Sequence, residues 1–229
     1  MEKPDFGSLI LLKNNQFLAV AKPNGLSVQD DQSGEISLQK MAEAYCKHPL
    51  KAVHRIDKPV SGVVLFAKSK SAQTGFTQQF EAHSVDKTYL AIVQNEPPEK
   101  AAHLTHFLLK KKGENQSRVF EKPVEHSEKA ELEYEFIASS DRYKLLKIKL
   151  LTGRHHQIRA QLAFIGCPIK GDAKYGFRRA NPDRSIQLHA WKMAFDHPVS
   201  GKREVIEAPL PTTDPLWKFF EESIKNLSN

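Results

Sequence analysis

The chain has 229 residues, 40% of them hydrophobic and 27% charged, with a formal net charge of +7. This is the make-up of an ordinary globular protein, long enough for one sizeable core or two small lobes. No apolar run approaches the ~18 residues that a bilayer span needs. The two cysteines, Cys46 and Cys167, form no CxxC pair, which excludes both a disulfide framework and a zinc knuckle. The positive balance favours a polyanionic partner such as nucleic acid.

The first residues, Met1-Glu2-Lys3-Pro4-Asp5, are charged and carry no apolar core of a secretory signal, so a cytoplasmic location is expected. Leu9–Lys13 and Phe17–Lys22 are short apolar runs separated by Asn14-Asn15-Gln16, which predicts a hairpin, and Pro23-Asn24-Gly25 ends it. Ser37 caps a predicted helix running to His48, with Leu38, Met41, Ala42 and Tyr45 on one face. A loop follows, His54-Arg55-Ile56-Asp57-Lys58-Pro59-Val60-Ser61-Gly62, and then the apolar strand Val63–Ala67. Pro59 stiffens the loop, so Asp57 is a carboxylate held in one place.

Ser69 or Ser71 caps the next helix, which presents Ala72, Phe76 and Phe80 at core spacing. Lys87–Gln94 reads as a strand. The polar stretch from Glu96 to Ser127, with Pro97-Pro98 and Lys110-Lys111-Lys112, reads as an irregular surface hairpin. Glu131–Ala138 and the run through Leu146, Ile148 and Leu150 alternate, which predicts two antiparallel strands with one wet face each. Thr152-Gly153-Arg154 then turns into a helix from His155 to Ile165, ended by Gly166 and Pro168. After a basic loop with Lys174, Arg178, Arg179 and Arg184, Gln187–Phe195 and Arg203–Ala208 form a hairpin. Asp214-Pro215 starts a last helix with Trp217, Phe220 and Ile224 facing inward. Many antiparallel strands and a few helices without βαβ rhythm predict an α+β fold.

Arg154 and Arg159 bracket His155-His156-Gln157-Ile158, about one helical turn apart. Guanidinium groups make forked contacts with carboxylate or phosphate, so one arginine is placed to serve Asp57 and the other a nucleic-acid backbone. Adjacent histidines on a helix diverge and no third ligand lies nearby, so no metal site is expected at His155-His156. Tyr89 offers a flat face and a hydroxyl on which a base can stack.

Together these segments resemble the RluA-type family of RNA pseudouridine synthases. His54-Arg55-Ile56-Asp57 with Ser61-Gly62 and Leu65-Phe66-Ala67-Lys68 is similar to the family's HRLDxxTSG…LFAK motif. Lys87-Thr88-Tyr89-Leu90-Ala91-Ile92-Val93 is similar to KxYxAxV. Thr152 to Arg159 resembles TGRxHQIR, and Gly166 to Gly176 resembles GxPIxGDxxYG. Leu188-His189-Ala190 and Phe195-Asp196-His197-Pro198 echo LHA…F.HP. Val60 stands where the family usually has Thr, and Gln161 where it commonly has His.

The resemblance implies a pseudouridine synthase fold: a bent, mostly antiparallel mixed sheet in two halves, with flanking helices and a central cleft. It implies one catalytic domain over 1–229 without an S4 RNA-binding domain. The implied reaction is isomerisation of uridine to pseudouridine in ribosomal or transfer RNA. Asp57 is the implied essential carboxylate, whether it attacks C1′ or takes the C2′ proton. Either role uses the charged form, and a carboxylate withdrawn from water needs a cationic partner, a part the resemblance gives to Arg159. Tyr89 stacks on the target uracil. His54, Arg55, Arg154 and Gln157 contact the RNA or support the loop, and Ile158 and Leu188 line the pocket. No cofactor, no metal, no membrane and no obligate protein partner is expected, and a monomer is. The competing readings are an inactive RNA-binding or RNA-folding protein on the same fold, and a hydrolase pairing His54 or His156 with Asp57.

Overall fold

The computed structural model describes residues 5–32, 34–110, 113–211 and 214–227. Its Cα trace divides into two compact units, Met1–Asp86 with Ala190–Leu210 and Lys87–His189 with Pro211–Asn229.

In the first unit β1 (Ile10–Lys13) and β2 (Phe17–Lys22) form the expected antiparallel hairpin. Its turn is closed by Asn14, whose Oδ1 accepts the backbone N–H groups of Gln16 and Phe17, each at 2.8 Å. Helix α1 (Leu38–Cys46) is capped by Ser37, whose Oγ accepts from Lys40 N and donates to Asp30. It stops two residues short of His48 because Lys47 adopts a left-handed conformation, φ 52°. Replacing Ser37 with Ala removes the cap and is expected to cost about 1 kcal/mol, read as a lower urea midpoint with unchanged slope.

The short β3 (Lys51–Ala52) and the strand β4 (Ser61–Ala67) pair antiparallel, as do β2 and β4 with Lys22 opposite Gly62. Every residue of β4 is buried. Helix α2 (Lys70–Glu81) takes Ser69 as its cap, with Oγ accepting from Ala72 N at 3.1 Å. Further along the chain come β5 (Asp86–Val93), β6 (Ala101–Leu109), β7 (Arg118–Phe120), β8 (Glu128–Ser139), β9 (Lys144–Leu150), β10 (Leu188–Asp196) and β11 (Arg203–Glu207). Within the first unit β10 lies beside β4, and β11 pairs antiparallel with β10. Phe17, Phe76 and Phe195 meet edge to face at 5.2–5.7 Å in the core, joined by Val63, Leu65, Met193 and Ile206.

Gly62 has φ 123°, and a Cβ there would overlap the backbone of Ala190. Only glycine lets the chain leave the Asp57 loop so close to β10.

The second unit is a sheet in the order β5-β9-β8-β6-β7. The alternation read in β8 and β9 is correct, with a register shift between Phe136 and Ala138. The hairpin read in Glu96–Ser127 is present as well, with β6 and β7 antiparallel from Phe107↔Phe120 to Leu109↔Arg118, but it is not confined to an irregular surface excursion. Its first half is the nine-residue β6, paired with β8 from Ala101↔Glu135 to Leu108↔Glu128. Pro97-Pro98 and the lysine run flank a segment whose alternation was present but masked by two histidines and a threonine. Lys111 and Lys112 of that run lie outside the described residues.

Helix α3 (Gln157–Phe164) begins two residues later than expected, because His156 is left-handed with φ 54°. Helix α4 (Pro215–Lys225) starts as the Asp214-Pro215 signal predicts, with Asp214 Oδ1 accepting from Leu216 N at 2.8 Å. Trp217, Phe220 and Ile224 are buried.

Candidate active site

Asp57 lies on the turn between β3 and β4, partly exposed. Its carbonyl accepts from Val60 N at 3.0 Å, closing the Lys58-Pro59 turn. The next carbonyl, that of Lys58, accepts Gly25 N at 2.8 Å and Lys22 Nζ at 3.2 Å. The Pro23–Leu26 turn is thereby bonded to the Asp57 loop. Lys58 Nζ reaches outward to Glu35 at 2.5 Å.

His54 sits behind this loop. Its Nε2 accepts the Leu65 N–H at 3.1 Å, and its ring stacks on Phe80 with centroids 5.4 Å apart. The Nε2 lone pair is occupied by backbone, which takes away the base that a His54 hydrolase needs. Arg55 is exposed and has no ion pair among the described residues.

In the second unit Tyr89 is buried on β5 opposite Ile148. Ile158 on α3 and Leu188 at the start of β10 are buried too. Arg154 Nε donates to the Lys129 carbonyl at 3.0 Å and Nη1 to Glu128 at 2.5 Å. Gln157 is buried at the first turn of α3. Its Oε1 accepts from Thr152 Oγ1 at 2.8 Å and Arg154 N at 2.9 Å, and Nε2 donates to the Glu131 carbonyl at 3.0 Å. Gln157 thus shapes the Thr152-Gly153-Arg154 turn from within. Gln161, one turn on, is fully buried and bonds His106 Nδ1 at 3.0 Å and the Ala130 carbonyl at 3.2 Å.

Arg159 is held in a fork. Nε donates to Asp172 Oδ2 at 2.6 Å and Nη2 to Asp172 Oδ1 at 2.9 Å, with both side chains almost wholly buried. The guanidinium also lies over the ring of Tyr175, 5.0 Å from its centroid. Asp172 can enter this position because Gly171 has φ 87° and sits where a Cβ would overlap the Asn181 amide and the Ser185 carbonyl.

Around Tyr175 runs a chain of hydrogen bonds. Ser117 N donates to Tyr175 Oη at 2.8 Å, and Tyr175 Oη meets His156 Nδ1 at 3.0 Å. Ser117 Oγ donates to the His155 carbonyl at 2.7 Å and so accepts from His155 Nδ1 at 2.9 Å. Burial, with the positive charge of Arg159 next, drives His156 far below its ordinary pKa. Neutral, its Nδ1 accepts the tyrosine proton. Burial likewise pushes the Tyr175 hydroxyl up.

Lys22, Asp172, Tyr175 and Ser117 were not singled out from the sequence as site residues. Lys22 left one signal: a lysine closing an otherwise apolar strand, directly before Pro-Asn-Gly. Asp172 and Tyr175 lay inside a recognised motif without an assigned task.

The architecture is that of a pseudouridine synthase catalytic domain. A solved structure of human RNA pseudouridylate synthase domain containing 4 superposes with a TM-score of 0.75 over 97% of this chain and 94% of that one, at 23% identity. The chain belongs to the RNA pseudouridylate synthase family, whose model matches residues 16–164, and is therefore an RNA-modifying isomerase. An uncharacterized RNA pseudouridine synthase of Mycoplasma pneumoniae is 33% identical, over 98% of this chain and 72% of its own length. The ribosomal large subunit pseudouridine synthase C of Buchnera aphidicola is 30% identical, over 97% of this chain and 71% of its own.

Proposed function

We propose that this protein converts specific uridines of structured RNA, ribosomal or transfer, to pseudouridine, with Asp57 as the essential carboxylate. The observation that carries the reading is the double anchoring of the Asp57 loop. Its turn is closed on itself by Val60, and its Lys58 carbonyl is bonded from the neighbouring turn by Gly25 and Lys22. A carboxylate fixed this way can meet the sugar of a bound nucleotide repeatedly in one geometry.

In the reaction the N1–C1′ bond breaks, the uracil turns, and C5 bonds to C1′. The C5 proton leaves and N1 gains one, so nothing is added or lost. Tyr89 is the surface for the uracil and the acceptor side of the C5 proton step. Arg159, aligned by Asp172, is the cation that serves Asp57. Arg55 and Arg154 meet phosphates, while His54 and Gln157 act from behind, holding the Asp57 loop and the Arg154 turn. Ile158 and Leu188 give the pocket its apolar wall. The target base must leave its stack to reach the carboxylate. The protein acts as a monomer in the cytoplasm, without metal or cofactor.

The test is pseudouridine mapping of total RNA by carbodiimide-stop sequencing, from cells with and without the gene. A stop lost on deletion and restored by the wild-type gene is expected, and its position names the RNA. An unchanged stop pattern in cells with no second synthase for the site overturns the reading.

A further inference from the structure

Lys58 follows Asp57 directly, and its side chain leaves the loop outward to meet Glu35, Nζ to Oε2 at 2.5 Å. Both partners stay in water, the lysine side chain 39% exposed and the glutamate 64%. Glu35 comes from the segment between β2 and α1. From Leu26 to Ser37 that segment holds three acids, Asp30, Asp31 and Glu35, and no lysine or arginine. Two of the acids are engaged close to home. Asp30 accepts from Ser37 Oγ and pairs with Lys40, each at 2.8 Å, and Asp31 accepts from Ser27 Oγ. Glu35 instead reaches 23 positions along the chain, into the Asp57 loop. In a protein of net charge +7 that acts on a polyanion, a carboxylate in this place repels the substrate.

We propose that Lys58 is a further phosphate contact beside Arg55, and that Glu35 occupies it in the free protein as a stand-in that an RNA phosphate must displace. This rests on the isomerase reading above. A nucleotide that presents its ribose to Asp57 carries one phosphate on its 5′ side and another on its 3′ side. Consecutive Cα atoms are about 3.8 Å apart, so the Lys58 stem starts beside that of Asp57 and its ammonium can meet one of the two. Arg55, two residues before Asp57 and exposed, is placed for the other.

The exchange costs little. An exposed ion pair contributes about 0–1 kcal/mol, whereas a phosphate contact also releases counterions from the RNA. Gly34 has φ 71° and open space where a Cβ would stand, so Glu35 can turn away without unpacking a neighbour. The Lys58 carbonyl stays bonded to Gly25 and Lys22, so the loop keeps its shape whichever partner the side chain meets. What Glu35 adds is discrimination. An RNA that brings a phosphate to Lys58 recovers the cost of displacing the glutamate, and one that does not is left facing a carboxylate.

The experiment measures tritium release from total RNA of cells lacking the gene, labelled at uridine C5, between about 50 and 200 mM salt. Wild type, Lys58→Gln, Glu35→Gln and the double variant are compared. Lys58→Gln is expected to raise the apparent KM for RNA about fivefold at the low-salt end, with kcat within about twofold. Its kcat/KM should also depend less on salt, the logarithmic slope flatter by about 0.7–0.9. Glu35→Gln is expected to lower KM about threefold, the size of an exposed pair released. In the Lys58→Gln background the same change should do nothing. Melting temperatures of all four should agree within about 4 °C, so that the differences belong to RNA and not to folding. A Glu35→Gln gain of equal size in both backgrounds makes Glu35 a general repulsion and overturns the stand-in. A Lys58→Gln protein with wild-type KM and salt slope overturns the phosphate contact, and so does one that loses kcat alone. A wild type that releases no tritium at any salt overturns the isomerase reading, and the Lys58 role with it.

Discussion

Asp57→Asn is expected to reduce pseudouridine formation at least about 1,000-fold, since the amide neither attacks nor accepts a proton as the carboxylate does. Shape and volume are preserved, and the backbone bonds that hold the loop come from Val60, Gly25 and Lys22 rather than from the side chain. RNA affinity should therefore stay within about threefold, because phosphate contacts dominate it. The variant also removes the negative charge that favours the Lys22 ammonium, so the Lys22 proton should become easier to lose. The checks are a filter-binding titration and a tritium-release assay on the same protein preparation. Full catalytic rescue by Asp57→Asn would turn the argument toward the inactive RNA-binding protein.

Asp172→Ala is expected to cost about 3–5 kcal/mol, the range for removing one partner of a buried ion pair. Against a total stability of about 5–15 kcal/mol that is enough to lower the urea midpoint drastically. The fork to Arg159 uses two of the guanidinium's five hydrogens, and the alanine leaves that edge buried without the carboxylate that fits it. Arg159→Met in the same chain should recover much of the loss, since an apolar pair of similar volume carries no stranded charge. Activity should not recover with it. A single-variant cost below about 1 kcal/mol would mean that Arg159 is not oriented by Asp172.

Much of the fold was legible wherever a local signal and the final environment agree. Ser37, Ser69 and Asp214 cap helices because their side chains satisfy N–H groups that any helix start leaves open. Asn14 closes its hairpin for a similarly local reason. The hairpin of β6 and β7 was legible, but the pairing of β6 with β8 was not, because the partner lies 26 residues away at Thr105↔Glu131, and histidine and threonine on a half-wet strand look like loop. The start of α3 was misplaced by His156, whose backbone is left-handed and whose ring meets the hydroxyl of Tyr175, a residue 19 positions on.

The site divides in the same way. Asp57, Tyr89 and Arg159 stood out through residue type and motif, but the groups that hold them did not. Lys22 acts through backbone carbonyls and Asp172 through a glycine-dependent turn. Neither device has a sequence period, so each becomes visible only with coordinates.

Both units are assembled from separated stretches, the first from Met1–Asp86 and Ala190–Leu210, the second from Lys87–His189 and Pro211–Asn229. On the ribosome this sets an order of events. When β4 and α2 have emerged, the core around Phe17 and Phe76 still lacks Met193, Phe195 and Ile206, which arrive more than a hundred residues later. At about 5–20 residues per second that is several seconds of exposed apolar surface during synthesis. The second unit is completed last but waits less, for its stretches are separated only by Ala190–Leu210 before Trp217, Phe220 and Ile224 of α4 arrive. Chains stopped before about residue 190 should therefore be captured by chaperones or degraded, and a nascent chain should gain protease resistance only when its last fifth has cleared the exit tunnel.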